Sequence, residues 1–196
     1  MKYSMMLNRT YLATLRNYLH TFAQVRRDII DTSNQSLHAA KRAIFALHRG
    51  DNTVAKEKLE AANQLLVELR KRQKKYLAQL VEEGAYRAAT EEYVEADLFY
   101  QWVTTGKMGQ SVKDIAPELY IAGLCDVPGE LYRYAIRAAT KRDMKAVIAA
   151  SQAANEIIEE LVQFDLTSYL RTKYDQAKQA AHKLDQVVYE VSIRQQ

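Results

Sequence analysis

Four acidic side chains in the middle of the chain have the spacing of paired metal ligands or acid–base groups. Glu92 and Glu95 are three residues apart, and Asp126 and Glu130 are four apart. On an α-helix, either spacing brings both side chains to one face. Carboxylates without a nearby histidine or cysteine form an all-oxygen set, which suits Mg²⁺ or Mn²⁺ rather than zinc. Such an ion could polarise a phosphate and activate a water molecule, as hydrolysis of a phosphodiester requires.

The surroundings of Asp126 make it the most informative of the four acids. It follows an uncharged run, residues 119–125, in the most apolar helix that the sequence predicts. An ionised carboxylate in such a setting is costly unless a partner compensates its charge. A divalent cation would compensate it, and so would an arginine such as Arg133 or Arg137. Taken alone, the spacing of Glu92 and Glu95 is more typical of charges on a solvated helix face.

Small residues flank both acidic pairs: Ala96, Gly123 and Gly129. Small side chains let two helices approach each other closely. We therefore expect the helices that carry the acids to be neighbours. The carboxyl groups of Glu92, Glu95 and Asp126 would then lie close enough to share one cation.

The apolar periodicity and the scarcity of helix breakers predict an all-α chain. The sequence has only two prolines and six glycines, and no stretch shows the alternation typical of a strand. The predicted helices cover residues 5–31, 37–49, 52–83, 86–105, 116–140, 143–163 and 173–194, with a kink or cap at 31–36. The predicted fold is a single-domain bundle of six or seven helices over residues 1–196.

Residues that favour helix ends separate several of these segments. Gly50 suits a C-cap, Asp51 can cap the helix that follows, and Gly84 marks a further break. Ser111 with Asp114 resembles a capping box.

Composition excludes several classes of protein. No segment approaches 18 uncharged apolar residues, so the sequence predicts no membrane span. The N-terminus lacks the apolar core of a secretory signal. The single cysteine, Cys125, cannot form an internal disulfide, which fits a cytoplasmic protein. The net charge of +4 is compatible with a nucleic-acid partner without requiring one.

One segment stands out as a candidate for phosphate binding. The densest basic cluster consists of Lys71, Arg72, Lys74 and Lys75. Such a cluster would hold phosphates without reading bases. The alternative is a solvated helix face, because acidic residues at Glu68 and Glu82 dilute its positive field.

Several segments, in order along the chain, resemble the translin family. Residues 92–96 resemble the glutamate motif of translin-associated factor X. Residues 120–131 resemble the second signature of that branch, in which an Asp and a Glu flank a short turn-like insert. Residues 43–49 and 170–175 also match the family, and residues 187–194 resemble the end of translin itself.

The resemblance implies an all-α fold of seven helices and hollow oligomers, commonly octamers, that bind single-stranded RNA or DNA. Translin-like chains bind nucleic acid and lack the glutamate pair, whereas the other branch carries the acids of a metal-dependent endoribonuclease. This sequence has every acid of that branch. The resemblance thus implies that Glu92, Glu95 and Asp126 bind Mg²⁺ or Mn²⁺ and act in catalysis, and that Glu130 supports them. One interpretation is a homo-oligomer that combines the features of both branches, as in a prokaryotic (archaeal) relative. The alternative is a non-catalytic protein that binds single-stranded RNA or DNA.

Two residues within these segments have open roles. Pro128 stands where the family usually has a residue with a backbone N–H, and a proline inside a helix removes one hydrogen bond and often kinks the helix. The bend would either aim Asp126 into the site or spoil its geometry. His48 is a candidate RNA contact, and a packing or capping role beside Gly50 is the alternative.

Overall fold

A computed structural model describes residues 7–110 and 115–193, which contain seven α-helices. The helices are α1 (Arg9–Arg49), α2 (Asn52–Arg72), α3 (Leu77–Glu82), α4 (Gly84–Thr105), α5 (Pro117–Thr140), α6 (Met144–Leu161) and α7 (Ser168–Ile193), with a 3₁₀ turn at Lys74–Tyr76. These ranges contain no strand, which confirms the predicted all-α fold. None of the helices described is both long and apolar enough to cross a membrane.

The predicted helix ends are mostly confirmed. Gly50 ends α1 in the left-handed conformation, with φ at 81°, which glycine adopts without steric cost. The carboxylate of Asp51 accepts a hydrogen bond from the Val54 N–H at 3.0 Å and so caps α2. Gly84 begins α4 after an extended residue. The capping box predicted at Ser111 and Asp114 lies outside the described residues.

The separation of residues 5–31 and 37–49 into two helices, with a cap at 31–36, is wrong, because α1 continues as one helix for 41 residues. Two polar side chains of this segment bond to α2 instead of competing for their own backbone. Ser36 Oγ donates to the carbonyl oxygen of Ala62 at 2.9 Å. Thr32 Oγ1 accepts a hydrogen bond from Arg72 at 3.2 Å. Tertiary partners therefore keep this polar stretch helical.

The single helix predicted over residues 52–83 is also wrong. It ends at Arg72, and a 3₁₀ turn separates it from α3. The turn buries the ring of Tyr76, whose centroid lies 5.8 Å from that of Phe22 on α1. Here aromatic packing between elements overrides the local helical pattern. The last helix, α7, begins at Ser168, five residues earlier than predicted.

The two central helices, α4 and α5, approach each other at Gly123. α1 and α2 pack on α4, while α6 and α7 pack on α5. A Cβ atom at Gly123 would lie 2.7 Å from the carbonyl oxygen of Glu91 and from Cβ of Val94, so only glycine fits. The expected close approach is confirmed at Gly123. Gly129 does not contribute, since a Cβ there would meet nothing within 4 Å.

Candidate carboxylate site

Side chains from α1, α4 and α5 line a cleft of about 290 Å³. They are Lys41, Ile44, Phe45, Glu92, Glu95, Glu130 and Arg133. Three of the four predicted acids therefore meet in one cleft. The fourth, Asp126, lies one helical turn before Glu130 on α5, and its charge acts on both Glu92 and Glu95. The structure thus brings the two predicted acidic pairs together.

Glu95 is the least compensated of these acids. It is 9% exposed, and within the described part of the chain it has no hydrogen-bond or ion-pair partner. Burial raises the pKa of Glu95 well above its ordinary value, and the charges of Asp126, Glu92 and Glu130 raise it further. A positive charge placed in the cleft would therefore stabilise the ionised form of Glu95.

Glu92 is nearer to the edge of the cleft. Its carboxylate lies 3.7 Å from Nζ of Lys41, whose side chain is half exposed. Burial nevertheless raises the pKa of Glu92. Lys41 lowers this pKa, whereas the charges of Asp126 and Glu130 raise it further. One exposed lysine is thus not enough to compensate the cluster.

The charge of Asp126 is compensated by a lysine rather than by either arginine proposed from the sequence. Lys173 on α7 donates a hydrogen bond to Oδ2 of Asp126, and its Nζ lies 3.5 Å from Oε2 of Glu91. Burial still raises the pKa of Asp126, although Lys173 opposes the shift. Burial lowers the pKa of Lys173, but Asp126 and Tyr169 together raise it above its ordinary value, so Lys173 stays charged.

Glu130 is held by two basic side chains. His48 Nε2 lies 2.5 Å from Oε2 of Glu130, and Arg133 lies 3.3 Å from Oε1. The His48 side chain is 2% exposed and packs on the ring of Phe99 at 5.2 Å. This burial favours the packing alternative for His48, and its RNA contact stays a prediction. Arg137, the second suggested arginine, donates to the carbonyl oxygen of His48 at 2.8 Å.

Pro128 neither breaks nor ends α5, which continues from Pro117 to Thr140. Pro128 is itself buried. Asp126 and Glu130 consequently lie one turn apart on one helix, and the segment between them is helical rather than turn-like. The proline therefore leaves both acids beside α4.

The donor chemistry of the cluster fits a hard divalent cation. Glu92, Glu95 and Asp126 offer only carboxylate oxygens, the ligands that Mg²⁺ and Mn²⁺ prefer. Among the described residues, Glu95 has no hydrogen-bond or ion-pair partner. In residues 7–110 and 115–193, however, no three His, Cys, Asp or Glu side chains are placed to hold one metal ion. The prediction that Glu92, Glu95 and Asp126 lie close enough to share one cation is therefore not met. The acids are gathered, and their side chains would have to rotate to converge on one ion.

The basic cluster lies elsewhere, at the end of α2 and in the 3₁₀ turn. Its members, Lys71, Arg72, Lys74 and Lys75, are all exposed. Arg72 pairs with Asp28 of α1 at 3.1 Å. Asp28 precedes Lys41, at the cleft, by thirteen residues of α1, which corresponds to about 20 Å along the helix. The structure therefore does not bring the basic cluster into the carboxylate cleft.

Sequence reasoning missed three residues beside Asp126. Glu91 is buried, and its Oε2 accepts a hydrogen bond from the Tyr169 hydroxyl at 2.7 Å. Lys173 lies over the Tyr169 ring, with Nζ 5.5 Å from its centroid. Lys173 falls in the family-like segment 170–175, but it is 47 residues from Asp126 in sequence. No local pattern indicates that α7 brings them together.

The fold and the cleft define an all-α bundle with buried carboxylates between its two central helices. The family model described as Translin family matches residues 24–195, and the chain belongs to this family. A comparison with curated proteins gives no match.

Three solved structures share the fold. Apo-NeC3PO has a TM-score of 0.84 and 22% identity, covering 96% of this chain and 99% of that chain. AfC3PO has a TM-score of 0.85 and 23% identity, covering 94% and 98%. A complex of AfC3PO with duplex RNA has a TM-score of 0.83 and 21% identity, covering 94% and 97%.

Proposed function

We propose that this protein is a metal-dependent endoribonuclease that acts on single-stranded RNA within a homo-oligomer. The observation that carries the proposal is Glu95, which is buried beside an open cleft and has no ion-pair partner in the described part of the chain. The charges of three further carboxylates act on it. Such a group gains most from a bound cation. Membership of the translin family and the RNA bound by the similar protein AfC3PO support RNA as the ligand.

Glu92, Glu95 and Asp126 would hold Mg²⁺ or Mn²⁺. When bound, the ion would supply positive charge to the scissile phosphate and lower the pKa of a bound water. Glu130, fixed by His48 and Arg133, lies beside this set and is the candidate acceptor for a proton from the water.

Two cations at the edge of the cleft are suited to bind the phosphates of the RNA. The side chains of Lys41 and Arg133 are 51% and 54% exposed, so their charged ends are accessible. Each is also tied to a cleft carboxylate, which directs it towards the opening. They would therefore position a phosphate next to Glu92 and Glu130 without reading its base.

The proposed oligomer, for which the family suggests an octamer, is supported by the N-terminal half of α1. Its buried residues begin only at Ile29. Five large apolar side chains on this part of α1 are exposed: Tyr11, Leu12, Leu15, Tyr18 and Leu19. A contiguous exposed apolar stripe of this kind is typical of an interaction surface. We assign it to contact with a second copy of the chain.

Cleavage of labelled single-stranded RNA with Mn²⁺ or with EDTA tests the proposal. The wild type is compared with Glu95→Gln and with Glu159→Gln, an exposed control on α6. We expect metal-dependent cleavage that Glu95→Gln lowers at least about 100-fold and Glu159→Gln leaves unchanged. Binding without cleavage under every condition would overturn the enzyme and favour a non-catalytic binder. Cleavage that survives in Glu95→Gln would indicate a contaminating ribonuclease or another site.

A further inference from the structure

Lys173 is a largely buried cation held between carboxylates of two different helices. Its side chain is 16% exposed. It donates a hydrogen bond to Asp126 on α5 and lies 3.5 Å from Oε2 of Glu91 on α4. The positive charge of Lys173 also acts on Glu92 and Glu95. Lys173 therefore occupies, with a single positive charge, the place where a metal ion would compensate Asp126.

Glu91 provides a second position for the Lys173 ammonium group, next to its position on Asp126. Glu91 is 7% exposed, and the Tyr169 hydroxyl fixes its Oε2 by a hydrogen bond of 2.7 Å. The ring of Tyr169 also faces Lys173. Lys173 thus has only to shorten an existing 3.5 Å contact with Glu91 in order to release Asp126.

We propose that Lys173 is a tethered counter-ion that occupies Asp126 when no metal is bound, and that a divalent cation displaces it towards Glu91. This inference rests on the proposed function, since it assumes that the cation uses Asp126. It explains why the acids are gathered around Glu95 without forming a ready metal site among the described residues. Lys173 is therefore a positioning residue that sets the affinity for the cation.

Two neighbouring substitutions should have opposite effects. Lys173→Met keeps an apolar stem but removes the competing charge, so the cation should bind more tightly. Glu91→Gln removes the charge that receives the displaced ammonium group, so Lys173 should remain on Asp126 and the cation should bind more weakly. A purely structural ion pair would give weaker binding in both variants, because both would loosen the site.

Titration of the full-length protein with Mn²⁺, followed by the electron paramagnetic resonance signal of the free ion, tests the inference without an activity assay. We expect Lys173→Met to lower the dissociation constant at least about tenfold and Glu91→Gln to raise it by a similar factor. Lys178→Met is the control, since Lys178 is exposed on the same helix and should leave the constant unchanged. Circular dichroism checks that each variant is folded, and Lys173→Gln replaces Lys173→Met if that variant is not.

The outcomes separate this inference from the proposed function. Tighter binding in the Lys173 variant supports the inference, including the case where only that variant binds Mn²⁺. If the wild type binds Mn²⁺ and the Lys173 variant binds it no more tightly, the counter-ion role is overturned while the metal site stands. If no protein in the series binds Mn²⁺, both proposals are overturned.

Discussion

The carboxylate cleft and the basic cluster at the end of α2 place charges of opposite sign in opposite environments. The acids lie between helices, where Glu95 is 9% exposed and a low dielectric strengthens every interaction. The basic residues lie in solvent, and Arg72 is already paired with Asp28. Exposed charges are screened by salt and water. The raised pKa of Glu95 thus comes mainly from burial and not from the density of charge along the sequence.

The contrast between the buried acids and the exposed basic cluster is tested most strongly by removing the charge of Asp126. Asp126→Asn should lower metal-dependent cleavage at least about 100-fold, because one proposed ligand is lost. RNA binding should change less than about threefold, since phosphate contacts supply that affinity. Single-turnover cleavage and electrophoretic mobility shifts measure the two effects separately. Equal losses of binding and cleavage would place Asp126 in RNA binding instead.

The burial of the acids depends on the close approach of α4 and α5. Gly123→Ala should lower the free energy of unfolding by about 1–3 kcal/mol, because the added Cβ would lie 2.7 Å from a backbone oxygen. Gly129→Ala is the matched control on the same helix. Its Cβ meets nothing within 4 Å, so it should be neutral or stabilising by up to about 1 kcal/mol. Urea denaturation followed by circular dichroism measures both, and equal effects would refute the close contact.

A pH dependence should follow from Glu95. The pKa of Glu95 is raised well above its ordinary value of 4.5 in the folded state. The proton on Glu95 therefore adds to the free energy of unfolding, and this contribution is fully present below the ordinary pKa. This contribution is lost as the pH rises through the raised pKa. Glu95→Gln should therefore match the wild type at low pH and become more stable than it as the pH rises. Thermal melts across pH test this, and a pH-independent difference would contradict the raised pKa.

The smallest effect is expected from the exposed basic cluster at the end of α2. Replacement of Lys71, Lys74 and Lys75 together by alanine should weaken RNA binding by less than about tenfold and reduce its salt dependence. Cleavage of RNA that is already bound should not change, because Arg72 of the cluster contacts α1 at Asp28, about 20 Å along the helix from Lys41 at the cleft. Mobility shifts at several salt concentrations measure the affinity. A large loss of single-turnover cleavage would show that this cluster belongs to the site.

Local patterns in the sequence predicted the helical fold and, together with the family resemblance, three acids of the cleft. Helical periodicity placed Glu92 and Glu95 on one face, and Gly123 indicated a close helix approach that the structure confirms. The breaks at residues 31–36 and 72–77 were misjudged because partners on other helices decide them. Lys173 was missed for the same reason: its contact with Asp126 spans 47 residues.

Anomalous diffraction from crystals grown with Mn²⁺ tests the central claim most directly. The account predicts one strong anomalous peak in the cleft, bounded by the carboxylates of Glu92, Glu95 and Asp126, and its loss in Glu95→Gln crystals. A Mn²⁺ concentration that supports cleavage but gives no peak beside these acids would contradict the account.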